Sequence, residues 1–86
     1  MRRQRADWMN PVDDEIMEIL EDAGAATPQL LADETGKNNN YLGVLCRELE
    51  KYGLVIRPSR GVYTLTDPGE QYLAGDLDAS DLDPDD

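Results

Sequence analysis

Apolar side chains recur at helical spacing in three stretches of the chain. Val12, Ile16, Ile19, Leu20 and Ala23 form the first stripe. Asn10-Pro11 stands ahead of it, a capping residue followed by proline at the first helical position. Asp13, Asp14 and Glu15 then fill the first turn, where the helix dipole favours anions. Gly24 closes the pattern, which predicts a helix over 11–23. Thr27-Pro28 repeats the start signal. Leu30, Leu31 and Thr35 then mark the inner face of a short helix over 28–35, and Gly36 ends it. Leu42, Leu45, Cys46 and Leu49 lie at i, i+3, i+4 and i+7, so the third helix, over 39–52 with Gly53 as its stop, buries that face. Its opposite face carries Asn39, Asn40, Gly43, Val44, Arg47 and Lys51.

After Gly53 the period changes. Leu54-Val55-Ile56-Arg57 and Val62-Tyr63-Thr64-Leu65 read as strands joined by the turn residues Pro58-Ser59-Arg60-Gly61, a hairpin over 54–65. Thr66 or Asp67 caps a last short helix over 68–74, ended by Gly75. Residues 1–9 read as an arm, basic through Arg2, Arg3 and Arg5. Residues 76–86, with six aspartates and two isolated leucines, read as a disordered acidic tail. Residues 10–75 are then the folded domain, mainly α with a small β-hairpin.

The second and third helices are joined by a short turn containing glycine, which is the helix-turn-helix unit, and a hairpin directly after it is the added wing. The segment from Ala26 to Leu73 resembles the winged-helix regulators of archaea. With residues 7–20 ahead of it, the chain is similar to the small haloarchaeal family typified by the repressor of the halophilic phage phiH. The resemblance covers about residues 7–75. Its most specific pieces are Asp7-Trp8-Met9 with Asp13-Asp14, Arg47-Glu48-Leu49 with Tyr52-Gly53-Leu54, and Gly61-Val62-Tyr63 with Leu65-Thr66-Asp67 and Gly69. It implies a winged helix-turn-helix transcriptional regulator, a repressor without enzymatic activity, whose third helix reads double-stranded DNA and whose hairpin touches the backbone. The chain departs from the common winged-helix pattern in two places. Lys37 stands where an aliphatic residue usually plugs the turn, and Val44 and Leu45 stand where arginine, serine or histidine is common.

Composition narrows the chemistry. The 86 residues contain no histidine and one cysteine, which leaves no zinc or copper ligand set and no internal disulfide. The two serines, Ser59 and Ser80, have no histidine to activate them, so a Ser-His-Asp triad is impossible. No glycine-rich phosphate loop is present, and no cofactor or small-molecule ligand is expected. No apolar run approaches the ~20 residues of a membrane span, and a cytoplasmic protein is expected. The alternating aspartates at 76, 78, 81, 83 and 85 lack the glycine and closing glutamate of a calcium loop.

Charge is the anomaly. The net charge is −11, whereas nucleic-acid binders are usually basic. It is unevenly spread: −9 over residues 7–35, +3 over 36–65 and −8 over 66–86. Only two of the eight bases are lysine, a balance that suits a halophile's cytosol, where negative charge keeps a protein hydrated.

The candidate DNA-contacting residues are Asn38, Asn39, Asn40, Gly43, Val44, Arg47, Arg57 and Arg60. An asparagine amide bonds adenine N6 and N7 together, valine packs on a thymine methyl, and arginine clamps a phosphate or guanine. Each has a plainer alternative. The asparagines cap the helix, and Asn38 is favoured for that role. Val44 covers a core edge, Arg47 pairs with neighbouring glutamates, and the two hairpin arginines are merely soluble. Gly43 costs about 1 kcal/mol against alanine in mid-helix, which is tolerated where something must approach closely. Trp8 and Met9 belong either to a dimer contact or to the end of the monomer core. A core this small and a single reading helix favour a homodimer. The rival function is a winged helix that binds protein rather than DNA.

Overall fold

The computed structural model describes residues 6–84, so Arg2, Arg3 and Arg5 of the expected basic arm lie outside it. The element order is α1 (Pro11–Ala23), α2 (Pro28–Thr35), α3 (Asn39–Lys51), β1 (Val55–Ser59), β2 (Val62–Leu65) and α4 (Asp67–Ala74), then one 3-10 turn at Ala79–Asp81. Each start has its chemical cause. Asn10 accepts the Val12 amide, while the Asp13 carboxylate accepts the Asn10 amide at 3.0 Å, a reciprocal capping box. Thr27 caps α2 through the Leu30 amide, and Thr66 caps α4 through the Gly69 amide. Asn38 caps α3 by accepting from the Asn40 and Tyr41 amides at 2.8 and 3.3 Å.

The core is built where α1, α2, α3, the hairpin and α4 converge. Ile16, Met17 and Leu20 meet Leu31, Leu42, Leu49, Leu54, Val55 and Tyr72, all essentially without solvent contact. Met17 joins the stripe expected on α1, whereas Ala23 is exposed at the helix end and Val12 and Ile19 are only half-buried. Leu30 is also exposed, against expectation. α2 buries Leu31 and Ala32 instead, and at about 100° per residue the face centred between those two lies on the far side of the helix from Leu30. The Tyr72 hydroxyl donates to the buried Asp14 carboxylate at 2.7 Å and ties α4 to α1.

The hairpin is antiparallel, with Val55 opposite Leu65, Ile56 opposite Thr64 and Ser59 opposite Val62. The register slips by one residue between Ile56 and Ser59. Pro58 sits in that irregularity, where its missing N–H costs the ladder least. Ala26 and Tyr63 exchange backbone hydrogen bonds of 2.9 and 2.8 Å. The link between α1 and α2 thus serves as a one-residue third strand beside β2, which pins the hairpin to the helical body.

Both ends of the described chain differ from expectation. Ala6 and Met9 are buried, and Trp8 stacks on Tyr52 with ring centroids 3.8 Å apart and planes 8° from parallel. Residues 6–9 therefore close the end of the monomer core rather than forming a free arm. The tail is not wholly disordered either. Ala79 is buried, Leu77 and Leu82 pack against the core, and Asp78 caps the 3-10 turn through the Ser80 amide at 2.9 Å. Two leucines and an alanine placed between aspartates hold residues 76–84 against the body while the carboxylates stay near solvent.

Candidate nucleic-acid interface

The interface begins at the turn between α2 and α3. Gly36 takes the left-handed conformation, φ 75° and ψ 14°, which lets its amide reach the Ala32 carbonyl at 2.8 Å and reverses the chain within one residue. Lys37, standing where a plug residue was expected, is exposed. The turn is held instead by Thr35, whose hydroxyl donates to the Leu31 carbonyl at 2.8 Å and accepts the Lys37 amide at 3.2 Å.

From this turn α3 projects with Leu42, Leu45, Cys46 and Leu49 inward and Asn40, Val44, Arg47 and Lys51 outward. Those four outward residues follow one another at i, i+4, i+7 and i+11, a single strip along the helix. Val44 is 52% exposed, so it does not cover a core edge. Arg47 lies back along its own helix, its Nη1 3.6 Å from where a Cβ on Gly43 would stand. Gly43 is buried beneath that guanidinium, yet a methyl group would fit there. Nothing inside the molecule demands glycine at this position.

The three asparagines take different roles. Asn38 spends its carbonyl oxygen on the cap. Asn39 donates its Nδ2 to Gln29 Oε1 on α2 at 3.1 Å. Asn40 is exposed, and its side-chain amide has no hydrogen-bond partner among the described residues. On the hairpin, Arg60 is exposed in the turn beside Gly61. Arg57 holds its guanidinium 5.9 Å from the centre of the Tyr63 ring, at the outer limit of a cation–π contact. Burial pushes the Tyr63 hydroxyl up from its ordinary pKa, and Arg57 opposes that rise. The hairpin between Val55 and Leu65 carries two arginines and no acid.

Cys46 is not a reactive group. Burial pushes its thiol up to about 12, with the Asp13 carboxylate adding to the rise, so it stays protonated and packed at neutral pH. Among the described residues no three histidine, cysteine or carboxylate side chains are grouped to hold a metal ion, and no helix is long and apolar enough to cross a membrane.

Residues outside the expected set also face outward. Tyr41 is 42% exposed at the start of α3, and Ile56 and Leu30 are exposed on β1 and α2. Tyr41 was detectable as an apolar residue off the buried stripe of its own helix. Gln29 enters only because α2 and α3 are packed together.

A helix packed on one face and exposed on the other after a tight turn, followed by a hairpin whose charges are both basic, is the geometry of a winged helix-turn-helix. A family model described as winged helix-turn-helix phage repressor matches residues 1–85. The chain belongs to that family. It is 33% identical over 88 residues to the repressor protein of Halobacterium phage phiH, covering 92% of this chain and 94% of that protein. The crystal structure of the PhiH1 repressor-like protein from Haloarcula marismortui superimposes with a TM-score of 0.90 at 30% identity, covering 98% of each chain. A protein from Pseudomonas aeruginosa PA01, assigned as a transcriptional regulator, gives a TM-score of 0.68 at 27% identity over 80% of this chain and 54% of that one. As a winged-helix phage repressor family member, the chain is a DNA-binding regulator rather than an enzyme. Its haloarchaeal relatives fit the acidic, lysine-poor composition.

Proposed function

We propose that this winged-helix protein is a sequence-specific repressor that inserts α3 into the major groove and rests the β1–β2 hairpin on the adjacent backbone. The outward strip of α3 carries the reading. Asn40, Val44 and Arg47 are exposed, serve no core contact and combine an amide, a methyl-matching side chain and a guanidinium on one face. Asn39 and Gly43 flank the strip. Asn38 contributes through its remaining amide hydrogens, and Arg57 and Arg60 supply the hairpin's contacts to phosphate. The expected outcome of Asn40→Ala with Arg47→Ala is a loss of about 1–3 kcal/mol of operator binding per residue with an unchanged melting temperature. Duplex titration at high salt measures it.

The protein acts as a homodimer in this reading. Its described residues span 29 × 28 × 22 Å, so two copies side by side fit half-sites about 34 Å apart on one duplex face. Sedimentation of the operator complex is expected to give two chains per duplex, and one chain per operator contradicts it.

The rival reading, a winged helix that docks on protein, is favoured by the exposed apolar residues Leu30, Tyr41, Val44 and Ile56. Operator binding unchanged by the double substitution selects it.

A further inference from the structure

A short relay of side-chain hydrogen bonds leads from α2 to the start of α3. Gln29 donates its Nε2 to Asp33 Oδ1 at 3.0 Å, one helical turn along α2. Gln29 Oε1 in turn accepts the Asn39 Nδ2 at 3.1 Å. The direction of this relay is dictated by its far end. An ionised carboxylate only accepts hydrogen bonds, so Asp33 holds the nitrogen of Gln29 toward itself. The oxygen of Gln29 then faces Asn39, and Asn39 must present nitrogen to it. One N–H of Asn39 is spent, which leaves its carbonyl oxygen and second N–H without a hydrogen-bond partner among the described residues.

We infer that Gln29 and Asp33 are positioning residues that set the base preference of Asn39 by fixing which end of its amide faces the groove. This rests on the proposal that α3 reads DNA. The major-groove edges of adenine and cytosine offer amino donors, whereas guanine and thymine offer only acceptors there. An outward carbonyl therefore selects adenine or cytosine. The second N–H of Asn39, which adenine N7 accepts, selects adenine between those two. All three side chains lie in water in the free protein, where the amides have competing partners. In a groove that excludes water the charge-assisted bond to Asp33 governs the orientation.

The inference has a reversal test. Asp33→Lys replaces an acceptor with a donor. The ammonium group then holds the oxygen of Gln29, the nitrogen of Gln29 faces Asn39, and Asn39 turns its own nitrogen outward, toward guanine or thymine. Glu34→Lys makes the same charge change on α2 at an exposed residue outside the relay, so any general gain in phosphate attraction is common to both. Duplexes of random sequence are selected at molar KCl with the unaltered full chain, Asp33→Lys, Glu34→Lys, Gln29→Ala and Asn39→Ala. The expected result is an adenine position that depends on Asn39, discriminated by about tenfold or more. That preference is lost in Asn39→Ala, relaxed in Gln29→Ala, turned to guanine or thymine in Asp33→Lys and kept in Glu34→Lys. The same base at every position for the unaltered chain and Asp33→Lys overturns the relay. A pool in which the unaltered chain enriches no sequence overturns the DNA-reading proposal itself, and the relay falls with it.

Discussion

Single residues separate two demands on α3, to pack and, in the proposed function, to read. Leu42, Cys46 and Leu49 answer the first and are wholly buried, while Val44 and Arg47, which we propose answer the second, face solvent. Gly43, expected from the sequence on the outward face as a DNA-contacting residue, is buried beneath Arg47, and its part in the proposed reading is close approach of the helix. The fold has room for a methyl group there, so no contact within the molecule offsets the poor helix propensity of glycine. Gly43→Ala is therefore expected to stabilise the fold by about 0.5–1 kcal/mol while weakening operator binding about tenfold. Paired thermal melts and duplex titrations measure both. A variant stabilised with undiminished binding removes Gly43 from the interface. Asn38 was read correctly as a cap from its place ahead of the helix, because capping is local chemistry. The Gln29–Asn39 bond was not legible, because ten residues of chain and a reversal separate the partners.

Elements were read well where their signals are local and less well where another element decides. The boundaries of α1 and α2 follow from Asn10-Pro11, Gly24, Thr27-Pro28 and Gly36. For α4, Thr66 is the cap, with its hydroxyl also donating to the Gly53 carbonyl at 2.6 Å. That bond and the Thr66 amide to the Leu54 carbonyl, at 3.2 Å, draw α4 onto the start of β1. Gly69 is the consequence. A Cβ there would collide with the Leu54 carbonyl oxygen and stand 2.8 Å from Leu65 Cδ2. Gly69→Ala is expected to lower stability by about 1–3 kcal/mol, read from chemical denaturation, because the obstacle includes backbone and cannot rotate away. An unchanged midpoint means that α4 sits farther from β1. The one-residue strand at Ala26 was not legible, since its partner Tyr63 lies in an element formed much later in the chain.

The whole molecule reconciles an acidic surface with a regulator that binds DNA. Lys37, Arg47, Lys51, Arg57 and Arg60 all lie on the α2–α3 turn, on α3 or on the hairpin, whereas α1 carries six carboxylates and no base. In molar salt the Debye length is about 3 Å, so the acids outside the interface no longer oppose the duplex. Counterion release no longer drives binding there either, and base contacts and shape fit must supply the affinity. Operator affinity is thus expected to persist or rise from about 0.1 M to molar KCl as the repulsion of the −11 chain is screened. A steep, monotonic fall in a salt titration contradicts this and shows that phosphate neutralisation dominates.

Local chemistry in the amino-acid sequence determined the helices, their caps, the hairpin, the segregation of charge and the family resemblance, because each depends on residues a few positions apart or on composition. Tertiary packing alone decided that Leu30 stays outside, that Trp8 lies on Tyr52, that Leu77, Ala79 and Leu82 hold the acidic tail against the core, and that Gln29 meets Asn39. Those outcomes turn on which surfaces meet when the helices cross. Periodicity along one segment records its own buried face but not the distant side chain that will cover it.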